Sequence, residues 1–187
     1  MHNIVSAAIA HVIGTVSLLM IFFSIGGFYQ NYYSILSQRA DEAQLKQIAS
    51  YVASNLIDIV TLSQTIEGDQ FLIKSIDIPY SLSNSLYNIS ISAMPSSTGE
   101  EKILRVVTSI SKLSDYAVVD LPWTASGNIK IYTNQTIPRS DVIVTNHQSS
   151  NKESSEIAIT KKPVSTIVWC MKNGNTITIG LGVLTYS

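Results

Sequence analysis

The chain has 187 residues, with 12 basic and 13 acidic side chains, a net charge of −1 and a 13% share of charged residues, against the usual quarter or so. That balance excludes recognition of nucleic acid through a basic patch and leaves no acidic disordered tail. One cysteine excludes an internal disulfide scaffold, and the length points to one domain with an appendage.

The first element is apolar. From Ile4 to Phe28 no Asp, Glu, Lys or Arg occurs, and His11 is the one titratable side chain. As a helix of about 25 residues it rises about 37 Å, more than the roughly 30 Å hydrocarbon core of a membrane. Tyr29, Tyr32 and Tyr33 follow at once, where an interfacial aromatic belt belongs. A cleavable secretion signal fits less well. Ser24-Ile25-Gly26 makes a small-x-small cleavage site, but the apolar run is about twice the usual length and no basic residue precedes it.

Ser6, Ala10 and Gly14 recur every four residues and share a helix face, with Ala7, Ser17 and Ser24 adding small side chains nearby. Small residues at this spacing let a second helix approach closely, which is how apolar helices pack when water supplies no driving force. Ser6, Ala10, Gly14 and Ser17 are therefore the expected helix-packing face. His11 lies one turn after Ala7 with no acidic partner in the segment, so an inter-helix hydrogen bond suits it better than a proton relay.

The helical pattern continues beyond the apolar run. Between residues 34 and 66, Leu45, Ile48, Val52, Leu56 and Ile59 follow a 3/4 spacing, with Val60 and Leu62 widening the stripe. Arg39, Asp41, Glu42, Lys46 and Asp58 are expected mostly on the opposite side. No proline occurs before Pro79, and Gly26-Gly27 are placed to kink the helix without ending it. The reading is one helix from about Ile4 to Ile66, apolar all round and then amphipathic.

After Gly68 the period changes to that of strands. "QFLIKSIDI", "LYNISISA", "KILRVVTSI", "YAVVDL", "NIKIYT", "DVIVT", "EIAIT", "STIVWCM" and "TITIGLGVLTY" are short runs rich in β-branched and aromatic residues. Pro79, Pro95, Pro122, Pro138 and Pro163 fall between or at the edges of these runs. Asn173-Gly174 is the strongest hairpin signal, and residues 146–156 read as a polar loop. The expected fold class is α+β: a helical part over 1–67 and an antiparallel, immunoglobulin-like β-sandwich head over 68–187.

Residues that could carry chemistry are sparse. His2, His11 and His147 are too scattered for a metal site, and no cysteine pair supports zinc. No glycine-rich phosphate loop occurs. His147 beside Cys170 or a serine lacks a nucleophile–base frame, so no catalytic role, cofactor or metal is expected. Cys170, in "IVWCMK", reads as a small buried side chain. Asn88-Ile-Ser90 and Asn134-Gln-Thr136 are N-glycosylation sequons if the head lies outside the cell.

An N-terminal helix, first apolar and then amphipathic, feeding a β-sandwich resembles the archaeal type IV pilin and archaellin class. A looser textual likeness lies in "IDIPYSLSNSLYNISIS … VVDLPW", a strand, a P-x-S-L turn and a Y-x-I-x-I strand similar to the heads of archaeal pilin-like secreted proteins. The resemblance implies a structural, non-enzymatic subunit of a cell-surface filament, inserted in the membrane before assembly. Its helix would pack against copies of itself or related pilin-like subunits, and its head would serve surface interaction or adhesion. The class carries a short leader with a basic residue before the apolar run. Here Met1-His2-Asn3 precede Ile4, as in a chain after processing or an uncleaved ancillary member. The alternative is a single-pass membrane-anchored extracellular sandwich, a binding module that does not polymerise.

Overall fold

The computed structural model describes residues 2–79, 81–82, 85–95, 101–110, 116–132, 154–158 and 165–184, the side chains of 2–10, 154–158 and 183–184 excepted. One α-helix, α1 (His2–Thr65), is followed by eight strands: β1 (Gln70–Ile76), β2 (Tyr87–Pro95), β3 (Lys102–Ile110), β4 (Tyr116–Thr124), β5 (Ile129–Ile131), β6 (Ser154–Ala158), β7 (Ser165–Asn173) and β8 (Thr176–Leu184). The strands form two four-stranded sheets, ordered β1-β7-β8-β5 and β4-β3-β2-β6. The fold is thus α+β, a long N-terminal helix followed by a sandwich-like head. The helix is continuous through Gly26 and Gly27. The expected strand "DVIVT" and loop residues 146–153 lie outside the described residues.

The chain divides into two compact units, Met1–Ala40 and Asp41–Ser187, so the division falls within α1 and not at its end. The cause is the amphipathic stripe. Leu45, Ile48, Ala49, Val52, Ala53, Leu56, Ile59 and Val60 are all buried, in one cluster with Ile89, Ile91, Leu104, Val106, Val168, Cys170, Ile179 and Leu181 of the strands. Each large apolar side chain so buried contributes about 1.5–3 kcal/mol. Polar bonds fix the helix against both sheets: the Thr108 hydroxyl on β3 donates to the Leu45 carbonyl at 3.0 Å, and the Cys170 thiol on β7 points to the Ile59 carbonyl at 3.6 Å.

Two residues depart from the helical pattern. Leu62, expected to widen the stripe, is 52% exposed, whereas Asp41, expected outside, is buried and is not left without a partner. The buried arc is narrower at the helix end and begins earlier than the apolar residues alone suggest. Asn55 and Ser63 also lie inside it, their polar groups satisfied by the carbonyls of Tyr51 at 2.7 Å and Val60 at 2.9 Å.

The last turn of α1 carries no basic residue, so nothing of its own complements the negative helix end. The first sheet supplies the complement. Lys172 on β7 donates to the carbonyls of Ser63 and Ile66 at 3.1 and 2.7 Å, and the Gln70 amide donates to Ser63 at 2.7 Å. Gly68, at φ +85°, turns the chain out of the helix.

The sheets depart from the expected pattern at four places. β6 begins at Ser154, inside the expected 146–156 loop, where pairing with Ser92 and Ile91 of β2 satisfies its backbone. β5 pairs with β8 in parallel, Ile129 opposite Ile177, because the chain crosses from the second sheet to the first between β4 and β5. β4 extends through Pro122 to Thr124, past the expected end at Leu121. It is an edge strand, and the register jumps from Arg105–Asp120 to Ile103–Thr124, a bulge in which a proline needs no ladder hydrogen bond. The β7–β8 hairpin closes on Gly174-Asn175, one residue beyond the Asn-Gly pair, with Asn173 opposite Thr176 and Gly174 at φ +55°.

The P-x-S-L turn is tied down at both ends. Leu82 and Ser85 exchange backbone hydrogen bonds at 3.0 and 2.6 Å, and the fully buried Tyr87 donates its hydroxyl to the Pro79 carbonyl. Burial pushes the Tyr87 hydroxyl up to about 12 and raises the Cys170 thiol as well. On the other face of the first sheet, Trp169 packs against Phe71, tilted at 36° with ring centroids 5.5 Å apart, and against Tyr132, edge-on at 4.9 Å. Gly180 lies opposite it, where an added Cβ would stand under 3.0 Å from three atoms of the indole.

Gly180→Ala is therefore expected to destabilise the head by about 1–3 kcal/mol in urea unfolding followed by circular dichroism. In a Trp169→Leu background the same change should cost clearly less, since the two residues couple through contact. For Tyr87 the sign is set by its neutral form being favoured in the fold. Its contribution is intact below about pH 10, where the unfolded phenol titrates, and is lost as pH rises toward 12. Tyr87→Phe should flatten the loss of stability over that window, at a cost near neutral pH of about 1 kcal/mol.

Candidate functional site

The part of the molecule that demands a functional account is the unit Met1–Ala40. No Asp, Glu, Lys or Arg occurs in it before Arg39, and its large apolar side chains lie open on all sides: Val12, Leu18, Phe22, Phe23, Phe28 and Tyr33 are each 60–75% exposed. Isolated exposed apolar residues are ordinary, but a continuous apolar surface marks a membrane or an interface. Among the described residues this is the one helix long and apolar enough to cross a membrane.

Two of its polar side chains suit such surroundings. The Thr15 hydroxyl donates to the His11 carbonyl at 2.9 Å, and the Ser24 hydroxyl donates to the Met20 carbonyl at 2.8 Å. Both are satisfied within the helix, as a water-free environment requires.

Of the expected packing face, Gly14 and Ser17 are exposed, and a Cβ on Gly14 would meet nothing within 4 Å. Ser6 and Ala10 lie in α1, their side chains outside the described residues. Ser24 and Gly27 extend the small-residue side of the helix by further steps of seven and three residues. Gly27 is as open as Gly14, so this surface has room for a close backbone neighbour.

Tyr29, Tyr32 and Tyr33 are all exposed, and Tyr29 and Tyr32 join a cluster whose hub sequence reasoning left in the apolar run. Phe28 stacks on Tyr32, centroids 6.4 Å apart and planes 11° apart, and meets Tyr29 edge-on at 6.4 Å. The signal that could have found it is the i, i+4 spacing of Phe28 and Tyr32. Phe22 and Phe23 form a second edge-on pair about one and a half turns earlier.

In the head, Asn88 lies on β2 between β3 and β6, opposite Ser109 and Ala158. Tyr87, Ile89 and Ile91 alternate inward and Asn88 is half-buried on the outer side. Asn134 and His147 lie outside the described residues. Cys170 is fully buried, and among the described residues no three His, Cys, Asp or Glu side chains come together. Comparison with protein families, with curated proteins and with solved structures finds no match to this chain.

Ile21→Arg places a charge in the middle of the apolar stretch, at a cost of about 2.5–3.5 kcal/mol for membrane insertion. It is expected to move a substantial part of the protein from the carbonate-resistant membrane fraction to the soluble one. Ile21→Leu should leave the distribution unchanged.

Proposed function

We propose that this chain is a structural subunit of an archaeal type IV pilus-like extracellular filament. The observation that carries the reading is the helix itself: one uninterrupted element whose later part is built into the head's core while its earlier part keeps apolar side chains open on every side. A helix apolar all round belongs in lipid or in a bundle of other helices. A simple anchor needs about 20 residues, and here the stretch free of Asp, Glu, Lys and Arg continues to Gln38.

In this reading the helix holds the protein in the membrane first, with Tyr29, Tyr32 and Tyr33 at the interface. It then leaves lipid and packs against copies of itself or related subunits through Ser6, Ala10, Gly14 and Ser17. The heads face outward for surface interaction or adhesion, with Asn88 and Asn134 as candidate glycan acceptors. The work is assembly and not catalysis. The aromatic cluster around Phe28 favours a second reading, a membrane-anchored extracellular sandwich that remains single, because aromatic rings at a helix end suit a lipid interface.

Gly14→Leu with Ser17→Leu separates the two. If the helix packs in a polymer, membrane-fraction levels stay within about twofold of wild type, since leucine favours insertion, while filaments disappear from electron micrographs of sheared cell surfaces. Unchanged filaments in that variant, or wild-type surfaces without any polymer containing this chain, would overturn the filament reading.

A further inference from the structure

At the end of the head where α1 stops, a cleft of about 570 Å³ opens among the last turn of α1, the β4–β5 turn and the β7–β8 hairpin. Its size falls in the range of small-molecule sites. Ile129 and Ile177, both buried, line its base. Trp123 forms a wall, half-buried and packed in part on the core. Gln64, Asn128 and Asn175 stand exposed around the rim. Among the described residues these three amides and the Trp123 indole make no protein hydrogen bond.

Charge narrows the ligand. Lys172 is the one charged residue among those lining the cleft, and its ammonium already donates to the carbonyls of Ser63 and Ile66. Asp69, nearby in sequence, accepts from the backbone N–H of Gly174 at 2.8 Å. Because Lys172 is held on the negative end of α1, a phosphate or carboxylate would have to compete with that helix end for its charge, and an amine or metal ion finds no carboxylate among the lining residues. A wholly apolar ligand would strip water from three amides and return no hydrogen bond.

What remains is a neutral molecule with an apolar face and many hydroxyls. Each amide offers two donors and an acceptor oxygen, which suits hydroxyls that donate and accept, and the flat indole suits the C–H face of a sugar ring. We propose that this cleft binds a neutral saccharide, with Trp123 as the stacking platform and Gln64, Asn128 and Asn175 as partners of its hydroxyls. The proposal rests on the head alone and holds whether or not the chain polymerises.

Two tryptophans provide the readout. Trp169 is fully buried and donates to the Leu181 carbonyl at 3.3 Å, so its indole resonance reports an intact head. The full-length protein, in phosphocholine micelles because a maltoside detergent would itself be a sugar ligand, is titrated with the methyl pyranosides of glucose, galactose and mannose and with N-acetylglucosamine. The expected result is a saturable shift of the Trp123 indole resonance with at least one of them, and no shift of Trp169. Asn128→Ala and Asn175→Ala should each weaken binding by about threefold to tenfold with the Trp169 resonance in place. Trp123→Ala, which removes the reporter, is followed by saturation transfer to the sugar's own resonances and should weaken binding by about tenfold or more.

A trisaccharide of the same sugar binding at least about tenfold more tightly identifies a glycan chain as the natural ligand, and equal binding identifies a free sugar. No saturable Trp123 shift with any of the four at roughly 100 mM, well above millimolar dissociation constants, overturns the proposal. So does a shift that survives unchanged in the Asn128→Ala and Asn175→Ala variants.

Discussion

The contact between the apolar stripe of α1 and the two sheets is what the head depends on. Leu45, Val52 and Leu56 are fully buried among strand residues of both sheets, so the helix is part of the core and not a stalk attached to it. The hydrogen bond from Thr108 to the Leu45 carbonyl and the contact of Cys170 with the Ile59 carbonyl lie roughly four turns of helix apart, one on each sheet. Lys172 and Gln70 then complete the helix end. Loss of the stripe would expose the inner faces of both sheets and leave a helix terminus without its complement, which ties the helix to a cooperative fold.

This dependence explains which parts of the fold were legible in the sequence. A 3/4 apolar spacing and a period-2 alternation are written in consecutive residues, and they locate α1 and most strands directly. What depends on distant pairing is not written there. Nothing in "NIKIYT" tells that β5 lies parallel to β8, because strand direction is set by where the chain crosses between sheets. Pro122 reads as a strand end until β4 is known to be an edge with a bulge. Ser154 to Glu156, read as the polar end of a loop, join β6 because pairing with β2 satisfies their backbone. Asp41 and Leu62 exchange their expected environments because burial follows the surface the sheets offer and not the hydropathy of the residue alone.

The candidate surface was legible for a simpler reason: an apolar stretch that long has few fates, and composition alone declares it. The Phe28 cluster was less visible, because a phenylalanine inside an apolar run looks like more of the same until side-chain directions are known. The cleft beside Trp123 was invisible to sequence reasoning. It gathers Gln64, Trp123, Asn128 and Asn175 from three separate turns and helix ends, and no spacing rule connects them.

The glycines of α1 sharpen the account of its first part. Gly14, Gly26 and Gly27 sit inside a continuous helix, and in water each would cost about 1 kcal/mol relative to alanine. The head does not need them, since all three lie outside the unit that contains the core, and none makes room for a neighbour within this chain. Away from water the penalty shrinks, because an unfolded backbone there has no solvent to satisfy its N–H and C=O groups. A helix that keeps three glycines, Gly14 and Gly27 among them on its small-residue side, gives up intrinsic helicity, and closeness of approach offsets that cost only where another backbone arrives. On these grounds the small side of α1 suits the proposed helix–helix packing, and the aromatic rings around Phe28 suit the membrane stage proposed to precede it.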